Sequence, residues 1–132
     1  MNSSLRRRVW QRADGLCEYC RMPSQFYLAP FQIDHVIAEQ HGGSTTFGNL
    51  ALACYHCNLH KGPNIAGKDP VSRRTTRLFH PRVDHWEDHF RWRGARLMGR
   101  TAIGRTTIQV LDINHPAYLL ARKSLKDAGL FG

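Results

Sequence analysis

Apolar residues recur at four-residue steps near the start of the chain. Leu5, Val9 and Ala13 follow this spacing. Because residues four apart lie on one face of an α-helix, the pattern predicts a short helix from Leu5 towards Leu16 with one apolar stripe. Gly15 is expected to end this helix, since glycine readily adopts the left-handed conformation that closes helices.

The middle of the chain contains short apolar runs separated by turn residues. Residues 31–37 and 49–53 are each predicted to form a strand, although a polar pair interrupts the first run. The glycine- and threonine-rich residues 41–46 between them are predicted to form a loop. A short helix is predicted over residues 54–61, and Gly62-Pro63 should end it.

The second half of the chain has a weaker periodicity. Aromatic residues in segment 86–92 have helical spacing at first, but the segment is short and is expected to become extended at its end. A strand is predicted over residues 96–103 and a helix beginning at 104–107. After an interruption by proline, residues 117–125 are predicted to form the last helix.

Length and composition narrow the class of protein. The 132 residues correspond to one domain, with 1–66 as a first unit and 67–132 as a basic α/β extension packed on it. A hydrophobic fraction of 42% argues against a disordered chain, and no apolar run is long enough to span a membrane. The N-terminal arginines precede no apolar core, so we expect no secretory signal and a cytoplasmic location.

The charge of the chain is strongly basic and unevenly distributed. The formal net charge is +9, and residues 67–132 contain thirteen Lys or Arg against six Asp or Glu. Most of the basic residues are arginines, whose planar guanidinium binds two phosphate oxygens at once. The charge favours a polyanionic partner such as nucleic acid, and the alternative is a solvated basic surface.

Four cysteines form two pairs, each with a two-residue spacer. Structural disulfides are rare in a reducing compartment, whereas four thiolates in two such pairs suit one tetrahedral Zn²⁺. The alternatives are a redox pair or four unrelated buried thiols. The sequence therefore predicts a structural zinc site whose ligands are Cys17, Cys20, Cys54 and Cys57.

Several separated motifs follow one another in a characteristic order. They are Cys17-x-x-Cys20, Ile33-Asp34-His35-Val36-Ile37, His41-Gly42-Gly43, Gly48-Asn49-Leu50 and Cys54-x-x-Cys57-Asn58-x-x-Lys61. Together they resemble the HNH endonucleases, in particular the small standalone bacterial and phage members with zinc knuckles. The resemblance covers residues 14–66. It implies an α+β fold with a small ββα-metal (His-Me finger) nuclease centre held together by the four-cysteine zinc site.

The resemblance also implies a role for each motif residue. His35 would be the general base that activates water, a step for which the histidine side chain is suited at neutral pH. Asp34 would bind a catalytic divalent metal, and Asn49 would shape the loop that orients the base. Asn58 would supply a second oxygen ligand at a position where many members have histidine. Mg²⁺ or Mn²⁺ is the implied catalytic cofactor, with Ni²⁺ as a further candidate.

Helix geometry supports part of this assignment and questions another part. On helix 54–61, Asn58 and Lys61 fall on one face. The two histidines of this helix, His56 and His60, point away from that face and are expected to be non-catalytic. Adjacent strand residues face opposite ways, so a bend or a strand end is needed to bring Asp34 and His35 to one site.

The expected activity is hydrolysis of DNA phosphodiester bonds, by nicking or double-strand cutting. Double-stranded DNA is the expected partner, and the sequence does not decide between a monomer and a homodimer. The aromatics of the extension are expected to form its core rather than stack on bases. A non-catalytic zinc-stabilised DNA-binding module is the main alternative, and a structural zinc protein is a second. The residues expected to contact DNA are Lys61, Arg73, Arg74 and Arg77.

Overall fold

Five α-helices, three short 3₁₀ helices and three antiparallel hairpins make up the structure, a computed structural model that describes residues 1–131. This mixture confirms the predicted α+β class. The helices are α1 (Ser3–Ala13), α2 (Tyr55–Lys61), α3 (Trp86–His89), α4 (Ala102–Val110) and α5 (Pro116–Asp127). The strands are β1 (Gln32–His35), β2 (Leu50–Ala53), β3 (Ala66–Lys68), β4 (Thr75–Arg77), β5 (Phe90–Arg93) and β6 (Arg96–Gly99).

The first helix begins and ends with well-defined caps. The side chain of Asn2 accepts a hydrogen bond from the Leu5 amide, and Asp14 closes the helix in the left-handed conformation with φ 55°. The helix therefore ends before Gly15, earlier than predicted. Val9 and Ala13 are buried, and they pack against β2 as the apolar stripe requires.

The central unit consists of β1, β2 and α2 in that order. Asp34 pairs with Ala51 and His35 with Leu50 across the antiparallel hairpin. All four residues of β2 are buried, because Leu50 and Leu52 pack with α1 whereas Ala51 and Ala53 belong to a second apolar cluster that includes side chains of the extension. Cys54 follows directly as the N-cap of α2, and its sulfur accepts a hydrogen bond from the Cys57 amide. This is the ββα arrangement that the resemblance implies.

Two features of the second half differ from the predictions. The strand predicted over 96–103 ends at Gly99, because Thr101 caps α4 with its hydroxyl and the helix begins at Ala102. Gly99 also lies so close to α4 that a Cβ there would be 2.5 Å from the backbone of Arg105. The hairpin of β3 and β4 was not predicted.

One buried apolar cluster contains side chains from both segments of the chain. The indole Nε1 of Trp86 donates to the backbone oxygen of Tyr19 at 2.9 Å, so the extension is tied directly to the first cysteine pair. Phe79 packs edge-on against the Tyr19 ring. The cluster also contains Leu78, Phe90, Leu97, Leu111 and Ile113.

Among residues 1–131, no helix is both long enough and apolar enough to cross a membrane.

Candidate active site and metal centre

The four cysteines lie together in the interior. All four are buried, and their sulfurs lie within 4.8 Å of one another. Cys20 Sγ and Cys54 Sγ are 3.8 Å apart. A tetrahedral zinc with Zn–S bonds of about 2.3 Å needs sulfurs separated by about 3.8 Å, so the cluster fits a structural zinc site. Backbone amides of Cys20 and Cys57 donate to the sulfurs of Cys17 and Cys54, which stabilises negatively charged thiolates.

The first cysteine pair is fastened to β2 by hydrogen bonds. The Glu18 amide donates to the Leu52 oxygen, and the Leu52 amide donates to the Glu18 carboxylate, both at 2.8 Å. Arg82 from the extension forms a salt bridge with the same carboxylate. The second pair stands at the start of α2, immediately after β2. Both pairs are therefore held by one strand, which explains how residues 34 or more positions apart meet.

A cleft of about 220 Å³ opens where β1 ends beside α2. Asp34, His35 and Asn58 all contribute to its lining, together with Glu39. His35 is the last residue of β1, and the chain bends at the next two positions. The strand end thus accounts for the common location of Asp34 and His35.

The imidazole of His35 is partly exposed, with 22% of its side chain accessible. Its Nε2 lies 2.8 Å from the Thr45 hydroxyl and 3.8 Å from a carboxylate oxygen of Glu39. These polar neighbours orient the ring without burying it. The ring is therefore able to reach a water molecule in the cleft.

Asn49 holds the loop that follows β1. Its amide accepts from the Ile37 amide and donates to the oxygens of Ile37 and Ser44, at 2.8 to 3.0 Å. Gly43 makes this close approach possible, since a Cβ there would lie 1.7 Å from the Ile37 oxygen. Asn49 thus positions the loop that carries Thr45, the partner of His35.

Asp34 is deeply buried, with 6% of its side chain accessible. One carboxylate oxygen accepts from the Tyr19 hydroxyl at 2.6 Å, and the ammonium of Lys61 lies 3.1 to 3.2 Å from both oxygens. Burial raises the pKa of the Asp34 carboxyl, and the charge of Lys61 opposes that effect. Both oxygens are therefore already hydrogen-bonded within the protein.

Lys61, which the sequence predicts to contact DNA, faces the interior in this structure. Only 1% of its side chain is accessible, and its ammonium also donates to the backbone oxygens of His35 and Val36. These contacts satisfy all three ammonium donors inside the protein. Lys61 therefore joins α2 to the end of β1.

Asn58 lies one turn before the end of α2 and is partly exposed in the cleft. Its side-chain amide has no hydrogen-bond partner within residues 1–131, so its oxygen is available to a ligand. The two histidines of α2, His56 and His60, lie on the opposite side of the helix, as predicted. His56 contacts the extension there, with its Nε2 2.7 Å from the Asp112 oxygen.

The predicted phosphate-binding arginines lie on or beside the β3–β4 hairpin. Arg73 and Arg74 are exposed in the connecting loop. Arg77 instead makes two hydrogen bonds to Asp84, at 2.7 and 2.8 Å, so its guanidinium is already paired. Of the three, Arg73 and Arg74 are thus exposed in the loop, whereas Arg77 is exposed but paired with Asp84. The loop itself is held by the buried Asp69, which binds Arg105 and two loop amides.

Tyr19 and Thr45 are site residues that sequence reasoning missed. Tyr19 stands between the first two cysteines and reaches Asp34, whereas Thr45 lies in the loop and reaches His35. A tyrosine inside a cysteine pair has no periodic signal, because its orientation depends on the folding of the pair. Thr45 was assigned to a loop by composition alone, which carries no information on the partner of its hydroxyl.

Comparison with known proteins identifies part of this chain. Residues 17–64 match the family described as HNH endonuclease, a little more than a third of the chain. The match covers both cysteine pairs and the cleft, and it confirms the resemblance found in the motifs. It indicates a domain of the nuclease type.

One curated relative aligns with most of the chain. It is the Septu protein PtuB of Bacillus thuringiensis, which is 23% identical over 124 residues. The alignment covers 88% of this chain and 46% of the relative, so this chain spans less than half the length of that protein. No solved structure shows a significant match.

Proposed function

We propose that this protein is a metal-dependent endonuclease that hydrolyses phosphodiester bonds of duplex DNA. The observation that carries the proposal is the common cleft of His35, Asp34 and Asn58 at the end of the ββα unit. A partly exposed imidazole, a carboxylate and an unpaired amide oxygen are the groups that such a reaction requires. The match of residues 17–64 to the HNH endonucleases supports the same chemistry.

His35 acts as the general base in this proposal. A ring nitrogen of His35 that carries a lone pair takes a proton from water, and the resulting hydroxide attacks the phosphorus of the scissile bond. Thr45 and Glu39 hold the ring at the mouth of the cleft, and Glu39 stabilises the imidazolium that forms. Asn49 contributes indirectly, because it positions the loop that carries Thr45.

Asn58 and Asp34 are the residues that would hold a catalytic Mg²⁺ or Mn²⁺. The free amide oxygen of Asn58 fits a hard cation, and Asp34 fits it by charge. When bound, such a cation neutralises phosphate charge and stabilises the leaving oxygen. Asp34 would have to share its carboxylate between the metal, Tyr19 and Lys61.

Basic residues outside the cleft would hold the DNA. Arg73 and Arg74 are exposed near the tip of the β3–β4 hairpin and are free to contact the phosphate backbone. Contacts of this kind position the duplex without reading its sequence. They also agree with the net charge of +9.

A zinc-stabilised DNA-binding module without catalysis is the second candidate. The observation that favours it is the saturation of Asp34 by Tyr19 and Lys61, which lowers the affinity of that carboxylate for a metal. Such a module would keep the zinc site and the basic surface. It would not need the free amide of Asn58.

Plasmid digestion with Mg²⁺, Mn²⁺, Ni²⁺ or EDTA, followed by mapping of the ends, separates the two candidates. His35→Ala should retain zinc, fold and DNA affinity but lose cleavage by about 10²–10⁴-fold, the usual effect of removing a general base. Asn58→Ala should also cut poorly, but extra metal should partly restore it. His85→Ala, an exposed histidine outside the cleft, is the matched control.

Two results would contradict the nuclease proposal. Equal cleavage by wild type and His35→Ala, after contaminating nucleases are excluded, would show that His35 is not the base. Binding of DNA by both proteins without cleavage in any of the metals would favour the binding module.

A further inference from the structure

A second group of metal-binding side chains lies on the side of α2 opposite the cleft. His56 and His60 are one helical turn apart, and Asp112 lies in the turn between α4 and α5. One potential ligand atom from each of the three lies within 4.8 Å of the others. His56 is buried, whereas His60 and Asp112 are exposed, so an ion has a path from solvent.

Hydrogen bonds to backbone oxygens orient both imidazoles. His60 Nδ1 lies 2.9 Å from the His56 oxygen, and His56 Nε2 lies 2.7 Å from the Asp112 oxygen. A backbone oxygen only accepts, so each of these nitrogens carries its hydrogen. A metal would therefore bind through the other nitrogen of each neutral ring, His56 Nδ1 and His60 Nε2, which keeps its lone pair, once the side chains rotate to bring these nitrogens together. This is the outer-shell arrangement that fixes metal-binding histidines in proteins.

The surroundings of the three residues are also suitable. The rings of His56 and His60 are 4.1 Å apart between centroids, and the ring of His115 is 6.0 Å from that of His56. His115 is not one of the three ligands, because its Nδ1 already accepts from the Ala117 amide as the cap of α5. Asp112 has φ 48° in the turn that follows α4, and its side chain is exposed.

We propose that His56, His60 and Asp112 bind a divalent transition metal of the Zn²⁺, Co²⁺ or Ni²⁺ class, separately from the four-cysteine site. Imidazole nitrogens suit these ions better than they suit Mg²⁺ or Ca²⁺. Metal–ligand bonds of about 2.0–2.2 Å require ligand atoms roughly 3.3–3.6 Å apart, a contraction that side-chain rotation supplies.

The position of the site gives it a consequence for the whole molecule. It would join α2, which carries Asn58, to the turn between α4 and α5. A bound ion would therefore fasten the extension to the helix that lines the cleft. Because an ion that binds only the folded state stabilises that state, the melting temperature should rise with its concentration.

The test is a titration of the zinc-loaded protein with Co²⁺. It is followed by calorimetry and by the visible absorption of bound Co²⁺, with zinc content measured throughout. We expect one equivalent of Co²⁺ at this site beyond the retained zinc, with a rise in melting temperature. Asn58→Ala lacks the amide ligand of the cleft. In the same titration, this variant should still bind the additional equivalent of Co²⁺.

Two substitutions of exposed residues test the ligands without disturbing the core. His60→Ala and Asp112→Asn should each weaken Co²⁺ binding at least about tenfold and abolish the rise in melting temperature. Asparagine suits position 112, because it tolerates a positive φ. His85→Ala is the control and should bind as the wild type does.

Three outcomes would overturn the proposal. One is that no Co²⁺ binds beyond the zinc. Another is that His60→Ala or Asp112→Asn binds with unchanged affinity. The third is that the additional equivalent disappears in Asn58→Ala, because the ion would then belong to the cleft.

Discussion

The ammonium of Lys61 lies 3.1 Å from the carboxylate of Asp34, and both side chains are almost completely buried. The pair joins the last residue of α2 to the strand that carries His35. Isolated charges are not tolerated in a protein interior, so each partner makes the burial of the other possible. The pair therefore belongs to the framework of the cleft.

Replacement of Lys61 should test this structural role. Lys61→Met leaves the Asp34 carboxylate without its countercharge, and loss of one member of a buried pair typically costs about 3–5 kcal/mol of unfolding free energy. Denaturant unfolding of the zinc-saturated protein measures the loss. Lys68→Met, an exposed lysine on β3, is the control and should be nearly neutral. A loss below about 1 kcal/mol, with weaker DNA binding, would instead support a phosphate contact.

Zinc is expected to be essential for folding. Cys54→Ser removes one thiolate from the cluster, while the serine hydroxyl can still accept from the Cys57 amide and cap α2, so the loss of tightly bound zinc and of most of the stability reports on the metal. Elemental analysis of the wild type should give about one zinc per chain at this site. Folded wild-type protein without zinc, or with a Cys17–Cys20 disulfide, would contradict the assignment.

The exposed arginines of the β3–β4 loop should act on DNA affinity alone. Arg73→Ala combined with Arg74→Ala should weaken binding to all duplex sequences about equally. The dependence of log K on log salt should flatten by about 0.9 for each lost phosphate contact. Arg77→Ala is the informative comparison, because its loss should instead reduce stability through Asp84. An unchanged salt slope in the double variant would mean that the two arginines do not contact phosphate.

Stability should fall as the pH decreases from 7.5 to 5.5. Burial lowers the pKa of His80, whose Nδ1 accepts a hydrogen bond from the Arg82 amide at 3.1 Å. The unfolded chain therefore takes up a proton at a higher pH than the folded chain does, and protonation below about pH 6.5 favours unfolding. His80→Asn keeps an acceptor and cannot titrate, so its unfolding free energy should vary less with pH. An equally steep dependence would exclude His80 as its source.

Several elements followed from the sequence because their signals are local. The spacing of Leu5, Val9 and Ala13 identified α1, and Cys54 with Gly62 bounded α2 correctly. The strand predicted over 96–103 is longer than the observed one, because the hydroxyl of Thr101 caps α4 and starts a helix within that range. The β3–β4 hairpin was missed because its strands have three residues each and no clear alternation.

The sequence by itself determined the family resemblance and the predicted zinc ligands. The two cysteine pairs, Asp34-His35 and Asn58 are recognisable at fixed spacings, because these motifs are local in the chain. Only the tertiary structure decided which basic side chains are paired with a carboxylate within the protein. Lys61 and Arg77 have the same local character as exposed basic residues. Their partners, Asp34 and Asp84, are reached by burial and by packing between elements, and spacing along the chain does not record either.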